Sequence, residues 1–186
     1  EPREADAAIG ESLLAADHYR LTAALELEYG PAFRSFESGT LAGDVLQGRF
    51  VPNGETCWLI DPAALDGGFQ ALVHFFRADI EAGLGLPLLP VKVGRLRLWE
   101  SAPPASFRLT LRRRGARSVE AEFELFGDDG RVLAALERCR FRAATLRSKA
   151  TQRPALWHAI AKVLPYPAAA YAPIDARDVA GRIVEG

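Results

Sequence analysis

The stretch from Asp61 to Ala82 constrains the fold more than any other part of the sequence. Leu65, Phe69, Leu72, Phe76 and Ile80 follow one another at spacings of four, three, four and four, which draws a single apolar stripe along a helix. Asp61 can cap that helix, and Pro62 stands at its first position, where a missing N–H costs nothing. The spacing predicts a helix over Ala63 to Glu81. Gly67-Gly68 lies inside its first turns, where glycine costs helix propensity. Glycines kept there imply that another backbone, or a ligand, comes close.

What surrounds this helix reads mostly as strand. Ala15 to Leu27 has a helical pattern with Tyr19, Ala23 and Leu27 spaced by four, and Gly30-Pro31 stops it. Residues 38 to 51 read as a strand pair or one bent strand, interrupted by Gly39, Gly43 and Gly48, and Asn53-Gly54 signals a tight turn. Three further runs follow the helix: Val91 to Trp99, Phe107 to Arg114, and Ser118 to Phe126, the last alternating Val119, Ala121, Phe123, Leu125. Asp128-Asp129-Gly130 makes a turn, and Arg131 to Ala143 returns as another strand. A long helix followed by an antiparallel meander is an α+β plan. A sheet curled around that helix would cover its stripe, which is the hotdog fold.

Composition narrows the class of protein. The 186 residues suit one domain with appendages; 23 basic and 24 acidic residues leave no global field pointing to nucleic acid or membrane. Arg112, Arg113, Arg114 and Arg117 straddle Gly115 and read as a solvated hairpin turn. No apolar run approaches the roughly 18 residues of a membrane span, and no signal pattern opens the chain. Cys57 and Cys139 offer neither a disulfide framework nor metal spacing, so a cytoplasmic protein with reduced thiols is expected. The absence of Met, even at position 1, suggests an excised or processed piece. Residues 1–14 are expected to be a linker, 15–146 the domain, and 147–186 a tail or interdomain linker with Trp157 and Tyr171 as anchors.

Four elements, taken in order, resemble the second hotdog of polyketide synthase dehydratases. Tyr29-Gly30-Pro31-Ala32-Phe33 is similar to the family's YGPxF opening, and Asp61-Pro62-Ala63-Ala64-Leu65-Asp66-Gly67-Gly68-Phe69-Gln70 to its HPxxLDxxxQ element. Leu89-Pro90 through Leu98 resembles the LPxxxxxxxL strand, and Gly130-Arg131-Val132-Leu133 continuing to Arg142 the closing hairpin. The resemblance implies one half of a double hotdog, with Asp66 as the catalytic acid and Gln70 as its orienting partner. It implies loss of water from a β-hydroxyacyl thioester carried on the phosphopantetheine of an acyl carrier protein, with no cofactor of the chain's own. The partners implied are that carrier, an N-terminal hotdog half or a second copy of the chain, and other polyketide synthase domains. Two departures stand out. Asp61 replaces the histidine of HP, which its capping role explains. The family's base lies in an HxxxGxxxxP element on the first hotdog, and none of His18, His74 and His158 stands in one.

The wheel independently singles out the same carboxylate. At 100° per residue, Asp66, Gln70, His74 and Arg77 share one flank away from the stripe. A carboxylate on a helix wrapped by sheet is costly unless paired or used. Tyr29 and Gly67 complete the expected substrate-binding set. His74 lies roughly 12 Å along the axis from Asp66, too far for both to reach one substrate carbon, and reads as packed or surface. Cys57, Trp58 and Trp99 read as packing residues. Three functions are consistent with these residues: the C-terminal half of a dehydratase, a dehydratase-like domain that no longer dehydrates, and an independent dimeric hotdog thioesterase.

Overall fold

Eight strands pair antiparallel throughout in the computed structural model, which describes residues 10–52 and 58–145. The chain divides into two units, residues 1–146 and 147–186, and every described residue lies in the first. The strands are β1 Glu11–Leu14, β2 Phe36–Ala42, β3 Val45–Phe50, β4 Leu88–Lys92, β5 Arg95–Leu98, β6 Ser106–Arg114, β7 Ser118–Phe126 and β8 Val132–Ala143. Their order in the sheet is β1-β2-β3-β6-β7-β8-β4, and β5 also pairs with β8. The helices are α1 Ala15–Ala24, α2 Pro62–Gln70 and α3 Arg77–Glu81, with a 3-10 segment over Ala71–Phe76 joining the last two. This is the α+β hotdog plan: a long helix lying on an antiparallel sheet.

The alternation read in β7 is what the sheet uses. Val119, Ala121, Phe123 and Leu125 are all buried, on the face that meets the helix. Phe69 of α2 meets Phe123 and Phe141 edge-on, with ring centroids 5.0 and 5.3 Å apart. Leu65, Phe69, Leu72 and Phe76 pack on or within this core, whereas Ile80 joins a smaller cluster with Leu21, Leu25 and Val73 under α1. The stripe is therefore shared between the sheet and a second helix.

Several expectations are corrected in detail. The expected single helix changes winding in its middle. A 3-10 segment turns roughly 120° per residue instead of 100°, so four residues of it displace His74 by roughly 80° from its expected place on the wheel. Residues 11–14, expected to end a linker, form an edge strand paired with β2, because Leu13 is fully buried in the core. In α1 the buried positions are His18, Leu21 and Thr22, with Leu25 buried just past its end, and Ala23 faces solvent. The run from Val91 to Trp99 is two strands, broken where Gly94 meets the irregularity of β8: a Cβ on Gly94 would lie 2.8 Å from Cβ of Arg138, whose φ is +53°. The Asn53-Gly54 turn, Cys57 and the whole 147–186 tail with Trp157, His158 and Tyr171 lie outside the described residues.

Candidate functional site

Asp61 opens α2 as the sequence indicates, accepting a hydrogen bond from the Ala63 amide at 2.8 Å, with Pro62 behind it. One turn later Asp66 emerges half-buried and Gln70 buried. Gln70 Nε2 donates to Asp66 Oδ2 at 2.7 Å and to the Phe33 carbonyl at 3.1 Å. The orienting contact expected between Gln70 and Asp66 is present as a hydrogen bond, and Asp66 Oδ1 accepts none among the described residues.

The two side chains open into a cavity of about 70 Å³. Its walls come from α2 (Asp66, Phe69, Gln70), the end of α1 and the loop after it (Leu25, Leu27, Tyr29), and strand β4 (Leu88, Leu89, Pro90). Among the described residues Asp66, Gln70 and Tyr29 are the only polar ones lining it; the rest are apolar. Burial first, then the nearby Asp66 and Tyr19, raises the Tyr29 phenol to about 12, so its hydroxyl keeps its proton. Gly67 does not line this cavity. A Cβ on it would lie 2.0 Å from Ser35 Oγ, which itself donates to the Ala63 carbonyl at 2.8 Å. The close approach announced by this glycine is therefore that of the loop before β2.

His74 was expected to be packed or at the surface, and it is packed: only 4% exposed, in contact with His18 rather than with Asp66. His18, which carries no motif, is fully buried between α1 and β2, its ring stacked on Phe36 at 4.3 Å. Its Nε2 lies 3.3 Å from Gln70 Oε1 and its Nδ1 3.1 Å from His74 Nε2. Burial pushes His18 down to about 4, against a smaller opposing effect of Gln70. Burial, then His18, then Arg77 push His74 down to about 3. Sequence reasoning missed this cluster, yet a signal was there: His18, Leu21, Thr22 and Leu25 follow i, i+3, i+4, i+7, the inward face of a helix.

Other singled-out residues fall elsewhere. Trp58 and Trp99, expected to pack, are exposed by 60% and 57%. Both stand at strand or loop ends beyond the reach of the core. The arginine cluster is a hairpin turn as expected, with Arg112 paired to Glu122 and Arg114 to Asp79. Among the described residues no three His, Cys, Asp or Glu side chains stand together as a metal site, and no helix is long and apolar enough to cross a membrane. The most voluminous cavity described, about 630 Å³, is an open groove lined by Lys92, Arg113, Arg117, Arg140 and Arg142. A single carboxylate, Glu120, stands among these cations.

Comparison with known proteins fits this architecture. A family described as "Polyketide synthase dehydratase N-terminal domain" matches residues 1–151. No curated protein sequence matches the chain. Among solved structures, a trans-AT polyketide synthase dehydratase domain from Brevibacillus brevis superposes with a TM-score of 0.65 at 16% identity, over 72% of this chain and 49% of that one. The dehydratase domain of RzxB from Pseudomonas fluorescens gives 0.63 at 23% identity, over 72% and 50%. The dehydratase domain of PpsC from Mycobacterium tuberculosis, in complex with C12:1-CoA, gives 0.62 at 17%, over 77% and 56%. The chain thus spans about half the length of the structures it matches.

Proposed function

Because the chain belongs to the polyketide synthase dehydratase family, we propose that it is one hotdog of a two-hotdog dehydratase, the C-terminal one, and that it supplies the acid of the reaction. The substrate is a β-hydroxyacyl thioester delivered by an acyl carrier protein. A histidine of the other hotdog removes the α-proton, Asp66 gives a proton from Oδ1 to the departing β-hydroxyl, and an α,β-unsaturated thioester and water result. Gln70 holds Oδ2, and Tyr29 keeps a hydroxyl donor in the pocket for substrate oxygens.

The observation that carries this reading is the pocket itself. Among the described residues Asp66 is its one carboxyl group, and no imidazole lines it. At about 70 Å³ it is well below the roughly 300–1,000 Å³ of a complete small-molecule site. Its wall on one side is β4, the last strand of the sheet, whose outer edge has no partner among the described residues. Leu89, Val91, Val93, Leu96, Leu98 and Trp99 are exposed along β4 and β5. An unpaired apolar edge is a surface that proteins ordinarily cover. A second hotdog laid along it would extend the sheet, cover the apolar row and wall the pocket. The assignment to the C-terminal half rests on the YGPxF, LDxxxQ and LP elements. The first hotdog would require an HxxxGxxxxP element, which the sequence lacks. The cationic groove begins at Val91 and Lys92, directly after the Leu89-Pro90 wall, and suits an acidic carrier surface.

The test is mass spectrometry of the carrier-bound acyl group. The chain alone should leave β-hydroxyacyl carrier protein essentially unchanged. Mixing with a histidine-bearing first hotdog should produce the dehydrated acyl group, and Asp66→Asn should then abolish it, each lost group costing about 10²–10⁴-fold. Dehydration by the lone chain that survives Asp66→Asn would overturn the reading.

A further inference from the structure

Gln70 can be placed in its site two ways round, and its neighbours decide between them. A carbonyl oxygen only accepts, so the end of the amide 3.1 Å from the Phe33 carbonyl must be the NH2. The second proton of that NH2 goes to Asp66 Oδ2 at 2.7 Å. Gln70 Oε1 therefore faces His18 Nε2 at 3.3 Å, and only a protonated Nε2 can bond to it. A neutral imidazole carries one proton, which leaves His18 Nδ1 an acceptor. His74 Nε2, 3.1 Å away, must then donate, and His74 Nδ1 is left as a buried acceptor with no hydrogen-bond partner among the described residues. Burial keeps both rings neutral, since each is held well below the ordinary histidine range.

We propose that His18 and His74 are positioning residues for Asp66: the one-way chain of donors from His74 through His18 to Gln70 holds the Gln70 amide in the orientation that presents N–H to the carboxylate. The inference rests on the reading of Asp66 as the acid of the dehydration. Neither histidine lines the pocket, so neither touches substrate. If His18 moved its proton to Nδ1, a bare Nε2 would oppose Gln70 Oε1. The amide would turn over, and its oxygen would then face both the Phe33 carbonyl and Asp66 Oδ2. Each bond in such a chain polarises the next, which strengthens the last one, on the carboxylate. Packing alone would not require this residue, because a phenyl ring could stack on Phe36 as the imidazole does at 18° between planes. What the imidazole adds is a donor on one side and an acceptor on the other.

The chain can be read directly in the 186-residue protein by nitrogen NMR with labelled histidine and glutamine. Both His18 and His74 should be neutral at pH 7 with the proton on Nε2; a proton on Nδ1 of either overturns the proposal. The Gln70 side-chain amide protons should be protected from exchange, and His18→Phe should speed their exchange at least ten-fold while His18→Gln, which restores a donor, should not. Should His18→Phe fail to fold, His74→Phe serves instead: with the donor to His18 Nδ1 gone, the Gln70 side-chain amide protons should exchange at least ten-fold faster, and unchanged exchange refutes the relay. In the enzyme completed by a first hotdog, His18→Phe should lower kcat about ten-fold with KM unchanged, and His18→Gln should recover most of it. Equal losses in both variants, or a change in KM alone, would mean that His18 only packs. Turnover that survives Asp66→Asn would instead refute the dehydration reading, and the tautomer measurements would still decide the relay.

Discussion

Acidification from pH 7 to pH 5 should cost this domain a large share of its stability, through the two buried histidines. In the unfolded chain both titrate near 6.5, whereas in the folded chain they lie at about 4 and about 3. A depressed folded pKa means that the unfolded state takes up protons first. The penalty is absent above about 6.5, grows as the pH falls below it, and levels off near the folded values. At pH 5 each ring has about 1.5 units of differential protonation, worth about 2 kcal/mol, and the two together about 4 kcal/mol. The surroundings do not offer compensation: His18 faces Tyr19, Phe36, Gln70 and His74, and His74 faces His18 and the cation of Arg77, which is itself paired to Glu11 at 2.9 Å. With an m-value of about 2 kcal/mol/M, the urea midpoint should fall by about 2 M between pH 7 and pH 5. His74→Phe should roughly halve that fall, whatever it does to stability at pH 7. Every other titratable group is the same in the two proteins, so the comparison isolates His74. Urea melts followed by circular dichroism at three pH values decide the matter. Identical pH dependence in the two proteins would refute the argument that these rings are buried neutral.

Two further perturbations test the packing around the site. Gly48→Ala should destabilise by about 2 kcal/mol or more, since its Cβ would lie 2.3 Å from the ring of Phe107, which is 1% exposed and cannot step aside; a chemical melt matching the parent would show that the ring can move. Gly67→Ala should cost about 1 kcal/mol by driving the Ser35 hydroxyl off the Ala63 carbonyl. In a Ser35→Ala background the same change should cost less, because the hydroxyl clash is gone and only the closer approaches to Cβ of residue 35 at 3.3 Å and to the Phe50 ring at 3.4 Å oppose the helix-propensity gain of alanine; additive effects in the double variant would mean that the glycine is needed for some other approach.

Much of the site could be read from residue spacing because it is local. The cap at Asp61, the helix after it and the Asp66–Gln70 contact lie within ten residues, where helix geometry alone brings i and i+4 together. Tyr29 was placed by its motif, and it lines the pocket with Asp66. The histidine pair was not legible, because His18 and His74 are 56 residues apart and meet only when α1 lies across the 3-10 segment. Gly67 signalled a close approach correctly, but which neighbour approaches depends on where the loop before β2 passes. Trp58 and Trp99 show the converse: an aromatic side chain suggests burial, yet both stand where no described element covers them.

By itself the sequence determined the elements and the family. Period-two alternation in β7 and the apolar stripe that makes a helical stretch of Leu65 to Ile80 are properties of a chain's own geometry, although the 3-10 winding of Ala71–Phe76 within that stretch is not. Tertiary structure alone decided three further things. It drew Leu13 into the core and so made a strand of Glu11–Leu14, whose other three side chains are exposed. It divided the apolar stripe between the sheet and α1. It also joined His74 and Gln70 of the long helical segment with His18 of α1 into a buried donor chain ending on Asp66. Each of these depends on contacts between segments far apart in the chain. Their energies come from burial and desolvation, which no local pattern of residues can specify.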